Sequence, residues 1–81
     1  MRSGETIKVP NEYGEMVEIN AVVIYPQTNK QQTMYWKVEG MFGSYGFTLC
    51  ITTDKREAMD RFHEVNEELI RVHEEDLRTR Y

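Results

Sequence analysis

Apolar and polar residues alternate through the first part of the chain, and the alternation then gives way to apolar residues spaced three and four apart. Alternation with period two predicts strands that bury one face, whereas the longer spacing predicts an amphipathic helix. The change falls at residue 54. We therefore predict one domain over residues 1–81, with a sheet in 6–53 and a helix in 54–79.

Four alternating segments predict four strands, at residues 6–10, 15–25, 33–42 and 45–53. Residues 12–14 fit a three-residue hairpin loop with Gly14 in the left-handed conformation. Gly43 and Ser44 fit a two-residue turn, because glycine permits a positive φ at the first central position. That turn sets Trp36 opposite Ile51, and it sets Val38 opposite Leu49 and Gly40 opposite Phe47.

The helix should begin at Asp54, because Asp54 followed three residues later by Glu57 resembles a capping box. A stripe of apolar residues then follows at helical spacing. We expect this stripe to cover the apolar face of the sheet. The predicted core is Ile7, Val9, Val17, Ile19, Ala21, Val23, Met34, Trp36, Val38, Phe47, Leu49, Ile51, Ala58, Phe62, Val65, Leu69 and Val72.

These elements predict an α+β fold, in which a four-stranded antiparallel β-meander packs on one long C-terminal α-helix. In a simple meander the strand at 45–53 is an edge. Its last six residues carry no charge and no proline, which are the usual guards against pairing with another chain. Together with spare apolar residues on the helix, this predicts a homo-oligomer. Its candidate interface residues are Thr48, Cys50, Thr52, Met59, Ile70 and Leu77.

Composition narrows the class of protein. The chain has 14 acidic and 10 basic residues, a net charge of −4 and one cysteine. The acidic balance makes a general nucleic-acid binder unlikely, since such proteins present a basic face. One cysteine excludes a disulfide framework within the chain. No apolar run has the length of a membrane span, and residues 1–9 lack the apolar segment of a signal peptide. We expect a cytoplasmic protein.

Groups that could carry catalysis are few and scattered. His63 and His73 are ten residues apart on the predicted helix and point in different directions, so they cannot share a metal ion in one chain. Cys50 has no histidine near it in sequence, and Ser44 lies in a turn with no nearby base. We expect no enzymatic activity, no cofactor and no metal site.

The sheet face turned away from the helix offers a binding surface. With the second and third strands paired so that residue numbers sum to 59, Ile24 lies beside Tyr35 and Val22 lies beside Lys37. Such a patch combines apolar, aromatic and cationic groups, and exposed apolar patches mark interfaces. The leading hypothesis is therefore a non-catalytic module that binds a protein partner.

In its size, acidic charge and lack of an enzyme motif, the chain resembles small accessory and anti-defence proteins encoded by phages or mobile elements. The resemblance rests on size and composition, and no motif transfers a residue role. It implies an inhibitor that acts by binding a larger protein.

The alternative hypothesis is a homo-oligomer that binds or sequesters a small nucleotide signal at its subunit boundaries. Aromatic side chains for stacking and cations for phosphate occur near the turn at 42–45 and at the start of the helix, where the helix N-terminus also attracts anions. The candidate ligand- or partner-binding residues under the two hypotheses are Val22, Ile24, Tyr35, Lys37, Phe42, Tyr45, Lys55 and Arg56.

Overall fold

A computed structural model describes residues 6–79, with side chains for residues 6–75. The described elements are β1 (Ile7–Pro10), β2 (Met16–Ile19), β3 (Ala21–Thr28), β4 (Met34–Phe42), β5 (Tyr45–Thr52) and α1 (Lys55–Thr79). One antiparallel sheet pairs β1 with β2, and a second has the order β3-β4-β5. The α+β class and the C-terminal helix are confirmed. The single four-stranded meander is matched only approximately, because the strands form two sheets.

The predicted second strand is broken at Asn20, where the chain passes from one sheet to the other. The Asn20 backbone N–H donates to the Met41 carbonyl oxygen at 2.8 Å, outside the regular ladder. The break reverses the faces of the residues that follow. Val22 and Ile24 pack against the core, and Val23 is 40% exposed. The predicted pairing of this segment with the third strand, with numbers summing to 59, is therefore wrong; the observed partners sum to 62.

A register shift between Val38 and Glu39 divides the ladder between β4 and β5. Near the Gly43-Ser44 turn the predicted register is confirmed, with Gly40 opposite Phe47. Beyond the shift Val38 lies opposite Cys50 and Trp36 lies opposite Thr52. A bulge gives one strand an extra residue and so changes which side chains face the core. The predicted pairs of Val38 with Leu49 and of Trp36 with Ile51 are therefore wrong.

Two hairpin loops share one design. In each loop an asparagine side-chain oxygen accepts hydrogen bonds from the backbone N–H groups two and four residues later, at 2.9–3.0 Å. The loop that starts at Asn11 joins β1 to β2, and the loop that starts at Asn29 joins β3 to β4. The fourth residue of each loop has a positive φ, which is 84° at Gly14 and 63° at Gln32. The prediction for Gly14 is confirmed, and the second loop was not foreseen.

The helix begins as predicted. The Asp54 carboxylate accepts a hydrogen bond from the Arg56 backbone N–H at 2.9 Å, which satisfies one of the free donors of the first turn. Ala58 and Val65 are almost fully buried along the predicted stripe. The rest of the stripe is half-buried against the core: Phe62, Leu69 and Val72.

The core lies between the two sheets and the helix. Its buried members are Ile7, Val9, Ile19, Val38, Leu49, Ala58 and Val65. Four predicted core residues are instead exposed, namely Ala21, Val23, Met34 and Ile51. The break at Asn20 and the bulge in β5 explain three of them, and Met34 lies at the start of β4. The same two irregularities bring Val22, Ile24 and Cys50 against the core.

Candidate binding surface

The three-stranded sheet has one covered face and one open face. The helix and the β1-β2 hairpin supply the other members of the core cluster, so both pack on the same side of this sheet, the inner face. The described residues leave the opposite side open. We call this side the outer face; by ladder register it is formed by Ala21, Val23, Tyr25, Gln27, Tyr35, Lys37, Glu39, Met41, Gly46, Thr48 and Ile51.

Hydrogen bonds within the outer face hold its tyrosines in place. The Tyr35 hydroxyl donates to the Gln27 side-chain oxygen at 2.6 Å. The Tyr25 hydroxyl donates to the Glu39 carboxylate at 3.4 Å, and the Lys37 ammonium lies 3.7 Å from the same carboxylate. The rings and their polar ends are thus positioned before any partner arrives.

Exposed apolar groups flank this polar cluster. Val23 on β3 is 40% exposed and Ile51 on β5 is 50% exposed. They lie on opposite edge strands, with the tyrosines and Lys37 between them. The face as a whole carries one cation and one anion, so it is electrically neutral within a chain of net charge −4.

The structure keeps part of the predicted patch and replaces the rest. Tyr35 and Lys37 lie on the outer face as predicted. Val22 and Ile24 do not, because they pack against the core on the inner face. On β3 the outer face is formed by Ala21, Val23, Tyr25 and Gln27, whereas we predicted Ala21, Val23 and Tyr25 on the core face. Residues 21–24 are four apolar residues in a row, so alternation could not assign their faces; the polar Asn20 just before them was the available signal of a break.

The predicted edge residues on the last strand also divide between faces. Thr48 lies on the outer face, opposite Glu39. Cys50 and Thr52 lie on the inner face, opposite Val38 and Trp36. Cys50 is half-buried and packs against the core.

The aromatic and cationic candidates for a nucleotide site are far apart in one protomer. Phe42 and Tyr45 flank the turn between β4 and β5, whereas Lys55 and Arg56 begin the helix at the other end of the sheet. The six residue steps from Trp36 to Phe42 span about 20 Å of extended strand. The Lys55 ammonium lies 5.3 Å from the centre of the Trp36 ring, a cation–π contact.

The helix borders an open groove of about 570 Å³ at the start of β3. Its lining is mainly apolar and comprises Asn20, Ala21, Val22, Asn66, Leu69, Ile70, His73 and Glu74. Ile70, a predicted interface residue, is 48% exposed here. Met59 is half-buried on the helix, and the side chain of Leu77 lies outside the described residues.

Burial raises the pKa of the Cys50 thiol, and the nearby Glu57 carboxylate raises it further, against a smaller opposing effect of Arg61. A thiol with a raised pKa is protonated at neutral pH and is a poor nucleophile. The environment of Cys50 is thus that of a core side chain.

Within residues 6–75 no three His, Cys, Asp or Glu side chains are grouped so that they could hold a metal ion. The described helix is too polar to cross a membrane. Comparisons with protein-family models, curated proteins and solved structures found no match to this chain.

Proposed function

We propose that this protein is a non-catalytic module that binds a protein partner through the outer face. The observation that carries the proposal is an open sheet face with two ordered tyrosines between two exposed aliphatic side chains. A solvated sheet face normally carries mostly polar side chains. This one offers a patch of the kind that marks protein interfaces.

The chemistry of the outer face suits a protein more than a charged ligand. Tyrosine, methionine and arginine are enriched in interfaces, whereas lysine and glutamate are depleted. Here Lys37 and Glu39 neutralise each other, and Tyr25 and Tyr35 present large rings with few rotatable bonds. Such rings lose little conformational entropy on binding. A module of this kind acts by occupying a surface of its partner, and this is how an inhibitor would work.

The test compares two apolar side chains of similar exposure on opposite faces of the same sheet. Ile51 on the outer face is 50% exposed, and Met34, which lies off that face, is 58% exposed. Immobilised wild type, Ile51→Asp and Met34→Asp are used to capture proteins from extracts of the source cell, followed by quantitative mass spectrometry. Ile24→Asp is unsuitable, because Ile24 packs against the core.

We expect wild type and Met34→Asp to capture equal amounts of one partner protein. Ile51→Asp should capture at least about tenfold less of it, because the new charge would be buried at the interface. As a control, the circular dichroism spectra of both variants should match that of wild type. Equal capture by all three proteins, or equal loss in both variants, would contradict the assignment of the outer face.

A further inference from the structure

Within residues 6–79, no strand pairs with the outer edge of β3. The Asn29 N–H donates to the Thr33 carbonyl oxygen, so these two residues form a hydrogen-bonded pair in line with the β3-β4 register. Hydrogen-bonded pairs occur at every second residue of an antiparallel ladder. The odd-numbered residues of β3 are therefore the ones that bond to β4. The turn between Phe42 and Tyr45 gives the same phase independently, because a pair that closes a two-residue turn is hydrogen-bonded. The N–H and C=O groups of Val22 and Ile24 therefore point away from the sheet.

The opposite edge of this sheet is guarded. The Glu12 backbone N–H, at the tip of the β1-β2 hairpin, donates to the Thr48 carbonyl oxygen of β5 at 3.0 Å. The bulge beside Val38 and Glu39 also bends that strand. Covering an edge and bending it are both devices that prevent pairing with another chain. Both β3 and β5 are edge strands of this sheet. The hairpin tip contacts β5, whereas no backbone hydrogen bond from the described residues reaches the outer edge of β3.

No charged residue lies between Glu18 and Lys30, so the whole of β3 is neutral. Natural edge strands are usually protected by charges, above all by lysine. In β3 the single guard is Pro26, which removes one N–H from the far half of the edge. The groove lined by Val22, Leu69 and Ile70 lies next to the unguarded half.

We propose that two copies of this chain pair through β3, antiparallel about a twofold axis, so that two three-stranded sheets become one six-stranded sheet. A second copy is the occupant that the charges favour. Two chains of net charge −4 repel each other, and they can approach closely only where both are neutral, as they are along β3.

Pro26 and Asn20 select the register. With Val22 opposite Ile24 of the second copy, every outward N–H and C=O of both residues finds a partner. A shift one way sets Pro26, which has no N–H, opposite Val22. A shift the other way sets Asn20 opposite Ile24, and the Asn20 N–H is already bonded to Met41.

Side chains fit the same register on both faces. On the outer face Val23 meets Val23 of the second copy on the axis, and Tyr25 lies over the small Ala21 of that copy. On the inner face the exposed side of Ile70 gains apolar neighbours across the groove. The inference does not depend on the proposed function, because it concerns purified protein without a partner.

The test measures the mass of the purified protein by sedimentation equilibrium. It compares wild type with two variants in which the replaced side chains are similarly exposed. Val23→Lys puts two like charges opposite each other on the axis, and Ile51→Lys puts the same charge on β5. We expect wild type and Ile51→Lys to have twice the 9.7 kDa chain mass. Val23→Lys should raise the dissociation constant about tenfold or more.

Backbone hydrogen exchange supplies a second readout. The Val22 and Ile24 amides should become protected as protein concentration rises, whereas the Thr28 amide, outside the paired stretch, should not. A monomer at every concentration would overturn the proposal and leave the edge to an extended peptide of another protein. A dimer broken by Ile51→Lys and not by Val23→Lys, or one that leaves both amides unprotected, would overturn it equally.

Discussion

At the scale of single residues, Gly40 is a point of close approach between the two sheets. A Cβ atom there would lie 2.8 Å from Ile19 Cγ2 and 3.3 Å from Leu49 Cδ1. Ile19 is fully buried, so it has little room to move aside. The close contact explains why a glycine interrupts an otherwise well-filled strand.

Gly40→Ala should therefore lower the free energy of unfolding by about 1–3 kcal/mol, the usual effect of overpacking a core. Urea unfolding followed by circular dichroism measures it. Gly46→Ala is the matched control, because its Cβ would meet only the flexible end of Glu39, at 3.1–3.4 Å. A loss at Gly46 as large as that at Gly40 would show that packing between the two sheets is not what requires Gly40.

Cys50 offers a prediction that depends on pH. Because burial and Glu57 raise its pKa, alkylation of the folded protein by iodoacetamide should be slow at neutral pH. The folded state holds the thiol proton more tightly than the unfolded state does. The stability that the protonated Cys50 thiol contributes is thus complete below the ordinary thiol pKa. It is lost as pH rises through the raised pKa of the folded state.

The matched control for that experiment is Ile51→Cys in a Cys50→Ala background, which puts the thiol on the exposed neighbouring position. It should react much faster at neutral pH. Equal rates for the two positions would mean that Cys50 is accessible and that the inner-face assignment of β5 beyond the bulge is wrong.

At the scale of elements, the two asparagine loops differ in one position. Gly14 adopts its positive φ without strain, whereas Gln32 adopts φ 63° with a side chain that disfavours it. Gly14 predicted the conformation of the first loop. The second loop could not be predicted, because a glutamine gives no local signal of a left-handed conformation.

Gln32→Gly should stabilise the fold by about 0.5–1 kcal/mol, since relief of strain exceeds the added freedom of the unfolded chain. Thermal unfolding measures the change. Lys30→Gly, in the same loop without a positive φ, should be neutral or destabilising. Stabilisation of the same size by both substitutions would show that loop flexibility, and not the conformation of Gln32, is responsible.

Elements with a strong local signal could be predicted well. The helix, its Asp54 cap and its buried stripe follow from spacing and capping chemistry, and both glycine turns follow from turn rules. The register of β1 with β2 follows from Gly14. Near each turn, local chemistry fixes the pairing.

At the scale of the whole molecule, two single-residue irregularities limited the prediction. The break at Asn20 turns one strand into two and inverts the faces of Val22 and Val23. The bulge near Leu49 inverts those of Cys50 and Ile51. A shift of one residue exchanges the two faces of a strand, so each irregularity moved the candidate surface by one position. Both depend on packing between distant segments, which alternation does not reveal.

The described strand pairs all join neighbours in the sequence, β1 with β2, β3 with β4 and β4 with β5, whereas the helix that covers the inner face comes last. Hairpins with short loops close within about 1–10 μs, and local pairing makes folding fast. On the ribosome, however, each hairpin can form before the helix has been synthesised. Until then only the β1-β2 hairpin can cover part of the apolar inner face, so the nascent chain is most prone to aggregate before the helix emerges.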